Sequence, residues 1–159
     1  MRKELKKLIV FYFLFSALVI GLDQWVKFWI VSNFALGDTQ NIIPNILSFT
    51  YVQNTGAAWS IFEGQMGFFT VITLIAVAVV TYLLVRYRNE NKLFTIGLAL
   101  VLAGAIGNFI DRVRLGYVVD MFQTDFMNFP IFNVADMSLC IGVGLIFIYT
   151  IFDEKMKGK

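Results

Sequence analysis

The chain has 159 residues, of which 58% are hydrophobic and only 15% charged, with a mean hydropathy of +0.74, whereas soluble domains average about a quarter charged residues. A membrane protein is implied, and its length suggests a single domain over residues 1–159. The net charge of +2 comes without a basic run, so no nucleic-acid partner is expected. There is no histidine, which removes the commonest zinc ligand and general base and excludes HExxH metallopeptidases and Ser-His-Asp hydrolases. The one cysteine, Cys140, has apolar neighbours and reads as a packed thiol. Proton transfer is left to Asp, Glu, Lys, Tyr or water.

Residues 1–22, MRKELKKLIVFYFLFSALVIGL, begin as a signal peptide does, but no small-x-small cleavage site follows and the apolar run continues. A retained anchor is expected, its span covering about residues 8–30. In the next connection, about 31–65, residues 41–45 with Pro44 read as a turn, and residues 46–52, ILSFTYV, as a strand. A small sheet resting on the outer membrane face follows. The second span covers about 66–85. The third covers about 93–110, where Gly97, Gly104 and Gly107 with Ala103 and Ala105 offer a face for close helix packing. A second outer connection, about 111–135, contains YVVDMF at 117–122, too apolar for a loop in water and expected to dip back towards the membrane. The fourth span covers about 136–152. Each span is near the ~20 residues a helix needs to cross the hydrocarbon core. Ten of the thirteen lysines and arginines fall at the N-terminus, in the link between spans two and three, and in the tail. Those parts are expected in the cytoplasm. The fold class is thus mainly α and polytopic, with four transmembrane helices and a small extracytoplasmic sheet and loop subdomain.

At about 1.5 Å per residue, Asp23, Asn108, Asp111 and Asp136 all fall roughly 22 to 27 Å from the inner edge of a core about 30 Å thick. Carboxylates are costly on a lipid face, so those of separate helices should turn inward and meet. Each also has a plainer role open to it. Asp23 and Lys27 are four residues apart and can pair on one helix, Asp111 can pair with its neighbour Arg112, Asn108 can bond another helix, and Asp136 and Asn133 can cap span four. Trp25 and Trp29 look like interfacial anchors. Asp120 belongs to the dipping segment or to a surface strand where its charge is solvated. If Asp120 and Asp136 reach one water, they must share a proton, which is the logic of an aspartic protease.

The motifs DQWVK (23–27), NTGAAW (54–59), GNFIDR (107–112), VVD (118–120) and FNVAD (132–136) together resemble, in order and spacing, the bacterial lipoprotein (type II) signal peptidases. The resemblance implies a four-span aspartic endopeptidase that cuts the signal peptide from a prolipoprotein just before a cysteine carrying diacylglycerol. It also implies Asp120 and Asp136 as the catalytic pair, with Asp23, Lys27, Asn54, Asn108, Asp111, Arg112 and Asn133 in support. On this reading the enzyme is a monomer of the bacterial cytoplasmic membrane, in contact with membrane lipid. Both termini are cytoplasmic and the site lies near the outer face, where Phe and Trp residues of the outer connection cover the peptide. It needs no cofactor and no metal. The rivals are a metal-dependent phospholipid-modifying enzyme, for which carboxylates three or four apart on one helix would be expected, and a small transporter, which needs polar residues through the whole core.

Overall fold

The computed structural model describes residues 2–56 and 64–157. Four apolar helices dominate it: α1 (Arg2–Asn33), α2 (Met66–Arg86), α3 (Lys92–Leu115) and α4 (Val134–Lys157). Each is long and apolar enough to cross a membrane. Large side chains such as Leu18, Phe28, Ile75 and Phe147 are exposed along them, as expected where lipid and not water is the solvent. Buried apolar groups lie inside the bundle instead, with Tyr12, Leu84, Leu98, Ala99 and Leu102 at their centre.

The central helix is α3, on which α1, α2 and α4 all pack. Small residues make its approach to α4 possible. A Cβ on Gly97 would come within 2.8 Å of the Gly142 carbonyl oxygen, and one on Gly104 would collide with the carbonyl oxygen of Ala135. At its start, the Asn91 side chain accepts a hydrogen bond from Leu93 N (2.8 Å). At its end Gly116 takes φ 79°, a left-handed cap that turns the chain directly into the next strand.

Three antiparallel strands, β1 (Thr39–Ile43), β2 (Leu47–Asn54) and β3 (Val118–Thr124), form a sheet in the order β1-β2-β3. It lies over the end of the bundle where α1 and α3 finish and α4 begins. Ile30 of α1 packs there with Tyr51, Val119 and Met121, and Trp29 meets Phe34 and Phe49 edge-on at 5.7 and 5.8 Å. Trp29, expected as an anchor, thus supports the sheet, while Trp25 points outward.

Two sequence expectations change. The turn expected over 41–45 is confined to Pro44–Ile46, with Asn45 at φ 61° and Ile46 N bonded to Ile43 O, because residues 41–43 pair with β2. Cys140 is exposed on α4 instead of packed. Lys159 of the tail lies outside the described residues, as do Ala57, Ala58 and Trp59 of the second motif and Phe62. Trp59 and Phe62 are two of the outer-connection aromatics expected to cover the peptide.

Gly104→Ala should cost about 1–3 kcal/mol, because a backbone oxygen cannot swing aside. Thermal unfolding in detergent should show a lowered midpoint for it. Gly21→Ala, with nothing within 4 Å of the added carbon, should leave the midpoint unchanged or slightly raised.

Candidate active site

The lysine of α1 organises the polar layer. Lys27 has three ammonium hydrogens and three acceptors: Asp23 Oδ2 at 2.9 Å, Asp111 Oδ2 at 2.9 Å and Asn108 Oδ1 at 3.0 Å. All four side chains are buried. A buried charge is tolerable only when paired and fully hydrogen-bonded, and the second carboxylate leaves this cluster in need of further donors. Those come from backbone. Asp23 Oδ1 accepts from Ala135 N at 2.9 Å, and Asp111 Oδ2 from Val119 N at 3.1 Å.

Ala135 and Val119 are the residues immediately before Asp136 and Asp120. Each carboxylate paired with Lys27 therefore grips the backbone one residue ahead of one member of the candidate pair. The first bond ties α1 to the start of α4 across the chain, and the second ties the last turns of α3 to β3 across the Gly116 turn, so α1 and α3 fix the start of α4 and the course of β3.

Asn133 joins the pair itself. It caps α4 in a reciprocal arrangement, with Asp136 N donating to Asn133 Oδ1 (2.9 Å) and Asn133 N to Asp136 Oδ2 (3.2 Å). Its side-chain amide then donates to Asp120 Oδ1 at 2.6 Å and Asn108 Oδ1 at 3.0 Å. Asn108 Nδ2 donates to Asp136 Oδ1 at 2.8 Å, and Asn54 Nδ2, whose own oxygen is held by Gly56 N, donates to Asp120 Oδ2 at 2.9 Å. Every oxygen of both aspartates accepts an N–H bond. Asp136 is both a cap residue and a member of the site, so the two readings of it are compatible.

Both carboxylates line one cavity of about 600 Å³, walled by α2, α3, α4 and residues 129–132, with Asn54, Asn108 and Arg112 on its polar side and Ile72, Ala76, Ala105 and Leu139 on its apolar side. Cys140 also lines it, one turn beyond Asp136. Arg112 bonds the Gly56 carbonyl weakly at 3.5 Å and lies over the Phe69 ring at 5.0 Å. Its buried Nε has no hydrogen-bond partner among the described residues.

All nine residues singled out in the sequence come together here. Two plainer roles fail. Asp111 turns to Lys27 and Val119, not to Arg112, since adjacent helical positions point about 100° apart. Asp120 lies on a strand, yet it is 2% exposed and so not solvated. One participant was missed: Gln24 Nε2 donates to Asp111 Oδ1 (2.9 Å), Gly107 O (3.2 Å) and Asp23 Oδ2 (3.2 Å). The test that flagged Asn108, an amide in an apolar helix, applies equally to it. Among the described residues no three Asp, Glu or Cys side chains gather into a metal-binding group.

Four helices able to cross a membrane and a buried polar cluster opening on a cavity define a class, a polytopic membrane protein with a polar cavity. Comparison with known proteins narrows it. A family model described as signal peptidase (SPase) II matches residues 15–152. The lipoprotein signal peptidase of Enterococcus faecalis is 62% identical over 149 residues, 94% of this chain and 92% of that protein. The one from Lactobacillus gasseri is 55% identical over 143 residues, covering 90% and 93%. A bacterial membrane enzyme solved by the in meso method at 2.3 Å resolution superimposes with a TM-score of 0.87 at 39% identity, over 93% of this chain and 91% of that one. The chain belongs to the signal peptidase II family. It is accordingly a peptidase and a multi-pass bacterial membrane protein.

Burial pushes the Asp120 carboxyl up from 3.8 to about 7, with the Asp136 charge acting in the same direction and the bonds from Asn54 and Asn133 and the Lys27 charge opposing. The folded form therefore keeps a proton that the unfolded chain has already released. The resulting stabilisation is present in full below the unfolded value and is lost as pH rises through about 7. An Asp120→Asn variant has no such titration. Thermal unfolding across this range should show the wild type losing stability relative to the variant as pH rises, whereas a constant difference would contradict the raised value.

Proposed function

We propose that this chain is an intramembrane aspartic endopeptidase that removes signal peptides from diacylglyceryl-modified prolipoproteins. On this reading it cuts just before the lipidated cysteine, with a water activated between Asp120 and Asp136. The observation that carries the reading is that these two carboxylates, one from a strand and one from a helix, open on the same cavity and are bonded by the same residue, Asn133.

Two carboxylates bonded to one asparagine and facing one poorly solvated cavity cannot both stay ionised cheaply, so on this reading they share one proton. The ionised member takes a proton from water as the water oxygen attacks the scissile carbonyl carbon. The protonated member hydrogen-bonds the carbonyl oxygen and stabilises the charge developing there. Collapse of the tetrahedral intermediate breaks the C–N bond, and the amine leaves with the proton first taken from water. Arg112, with a donor unused by the described residues, and Asn54 face the cavity where the peptide backbone would lie.

The substrate suits the setting. A signal peptide is an apolar helix, and the cavity has an apolar wall continuous with lipid-facing α2 and α4, so neither that helix nor the diacylglyceryl chains need enter water. The distribution of lysine and arginine supports cytoplasmic termini and a site near the outer face. The enzyme is proposed to act as a monomer without a cofactor. A phospholipid-modifying metalloenzyme would require a denser carboxylate group, and Asp23 and Asp111 already have Lys27 as their cation.

Asp120→Asn and Asp136→Asn should each lower cleavage of a diacylglyceryl-modified precursor by at least about a thousandfold while the protein still inserts, because either change removes the shared proton. Purified protein in detergent, assayed by release of the signal peptide, provides the test, and full activity in either variant would defeat the reading. A chelator should leave the rate unchanged. Asn108→Ala and Asn133→Ala should reduce turnover more than the amount of inserted protein.

A further inference from the structure

The two aspartates are alike in their nearest donors, each taking two N–H bonds, but not in what stands behind those donors. Asp120 is held by the side-chain amides of Asn54 and Asn133, and it sits on a strand, which has no strong dipole. Asp136 lies in the first turn of α4, where the exposed N–H groups favour negative charge, and one of its bonds comes from backbone. Its other bond comes from Asn108, and the oxygen of that same amide accepts from the Lys27 ammonium at 3.0 Å. An amide with a cation on its oxygen is a more polarised donor, so the ammonium is felt at Asp136 through one side chain.

We propose that Lys27, acting through the Asn108 amide, keeps Asp136 as the charged member of the pair and leaves the shared proton on Asp120. Asp136 is then the group that takes the proton from water, and Asp120 the one that donates to the carbonyl oxygen. Lys27 is a positioning residue in this scheme, since it does not reach the cavity. The inference rests on the aspartic-peptidase reading and adds the direction in which the proton moves.

The other charged groups around the pair do not reverse the bias. Asp23 on α1 acts on Asp136 against this bias, but it and Asp111 on α3 are each bonded to Lys27 at 2.9 Å, with Gln24 also donating to both. Arg112 on α3 lies across the cavity within electrostatic reach of both aspartates.

The pH dependence of kcat/KM tests this, because its acid limb reports ionisation of the base. The double variant Asp23→Asn, Lys27→Met removes one charge of each sign, and Asp111 keeps Gln24 and Val119 as donors. With the purified enzyme and a diacylglyceryl-modified precursor peptide, the acid limb should move up by about 0.5–1 pH unit, with kcat falling more than KM changes. A folded double variant with an unmoved acid limb would overturn the proposal, because a purely structural role changes the yield of enzyme and not that limb. If the variant does not fold, neutron diffraction from the wild type decides. A deuteron on Asp120 supports the assignment and one on Asp136 overturns it. Either failure leaves the peptidase reading standing, because that reading is tested separately by the loss of cleavage in Asp120→Asn and Asp136→Asn.

Discussion

One buried ammonium holds this site together. Lys27 sits where lipid would exclude it, and its three hydrogens require three oxygens from two helices. Two of those oxygens belong to carboxylates that need donors of their own, and they find them in Val119 N and Ala135 N. The backbone is therefore fixed one residue ahead of Asp120 and of Asp136. A cluster of this kind adds little net stability compared with well-packed apolar side chains, but losing one member strands a charge. Its value lies in position, because two segments that enter the site from different directions are held against one frame.

The glycines of α3 serve the same end by another route. α4 carries Asp136 and approaches α3 so closely that a methyl group on Gly104 would strike the carbonyl oxygen of Ala135. Small residues thus set the distance between helices while the Lys27 cluster sets their register. The sheet adds the third component, for β2 brings Asn54 alongside Asp120, and Val52 is paired with Asp120 across the strands.

The helices and the polar layer were legible in the sequence because a membrane simplifies the code. An apolar run of about 20 residues has few other meanings, and a polar side chain within it must find a partner. Asp23, Asn108, Asp111 and Asp136 accordingly fall at one depth by residue count alone. The code is weaker outside the core. β1, TQNII, has all five residues exposed, so it lacks the alternation of buried and exposed positions that marks a strand. Asp111 and Arg112 looked like a pair because they are adjacent, although a helix sends neighbours in different directions. Cys140 looked packed because apolar neighbours mean burial in water, whereas here an apolar surface faces the cavity or lipid. The motifs supplied what periodicity did not, namely that VVD and FNVAD belong to one site.

Attack by water is the central step of the proposed mechanism. A single turnover in heavy-oxygen water, with enzyme and a diacylglyceryl-modified precursor prepared in ordinary water, tests this directly. Mass spectrometry should find the heavy atom in the new carboxylate of the released signal peptide and none in Asp120 or Asp136. A first-turnover product with only light oxygen, and the heavy atom in an aspartate side chain, would mean that the carboxylate itself attacks and would contradict the mechanism.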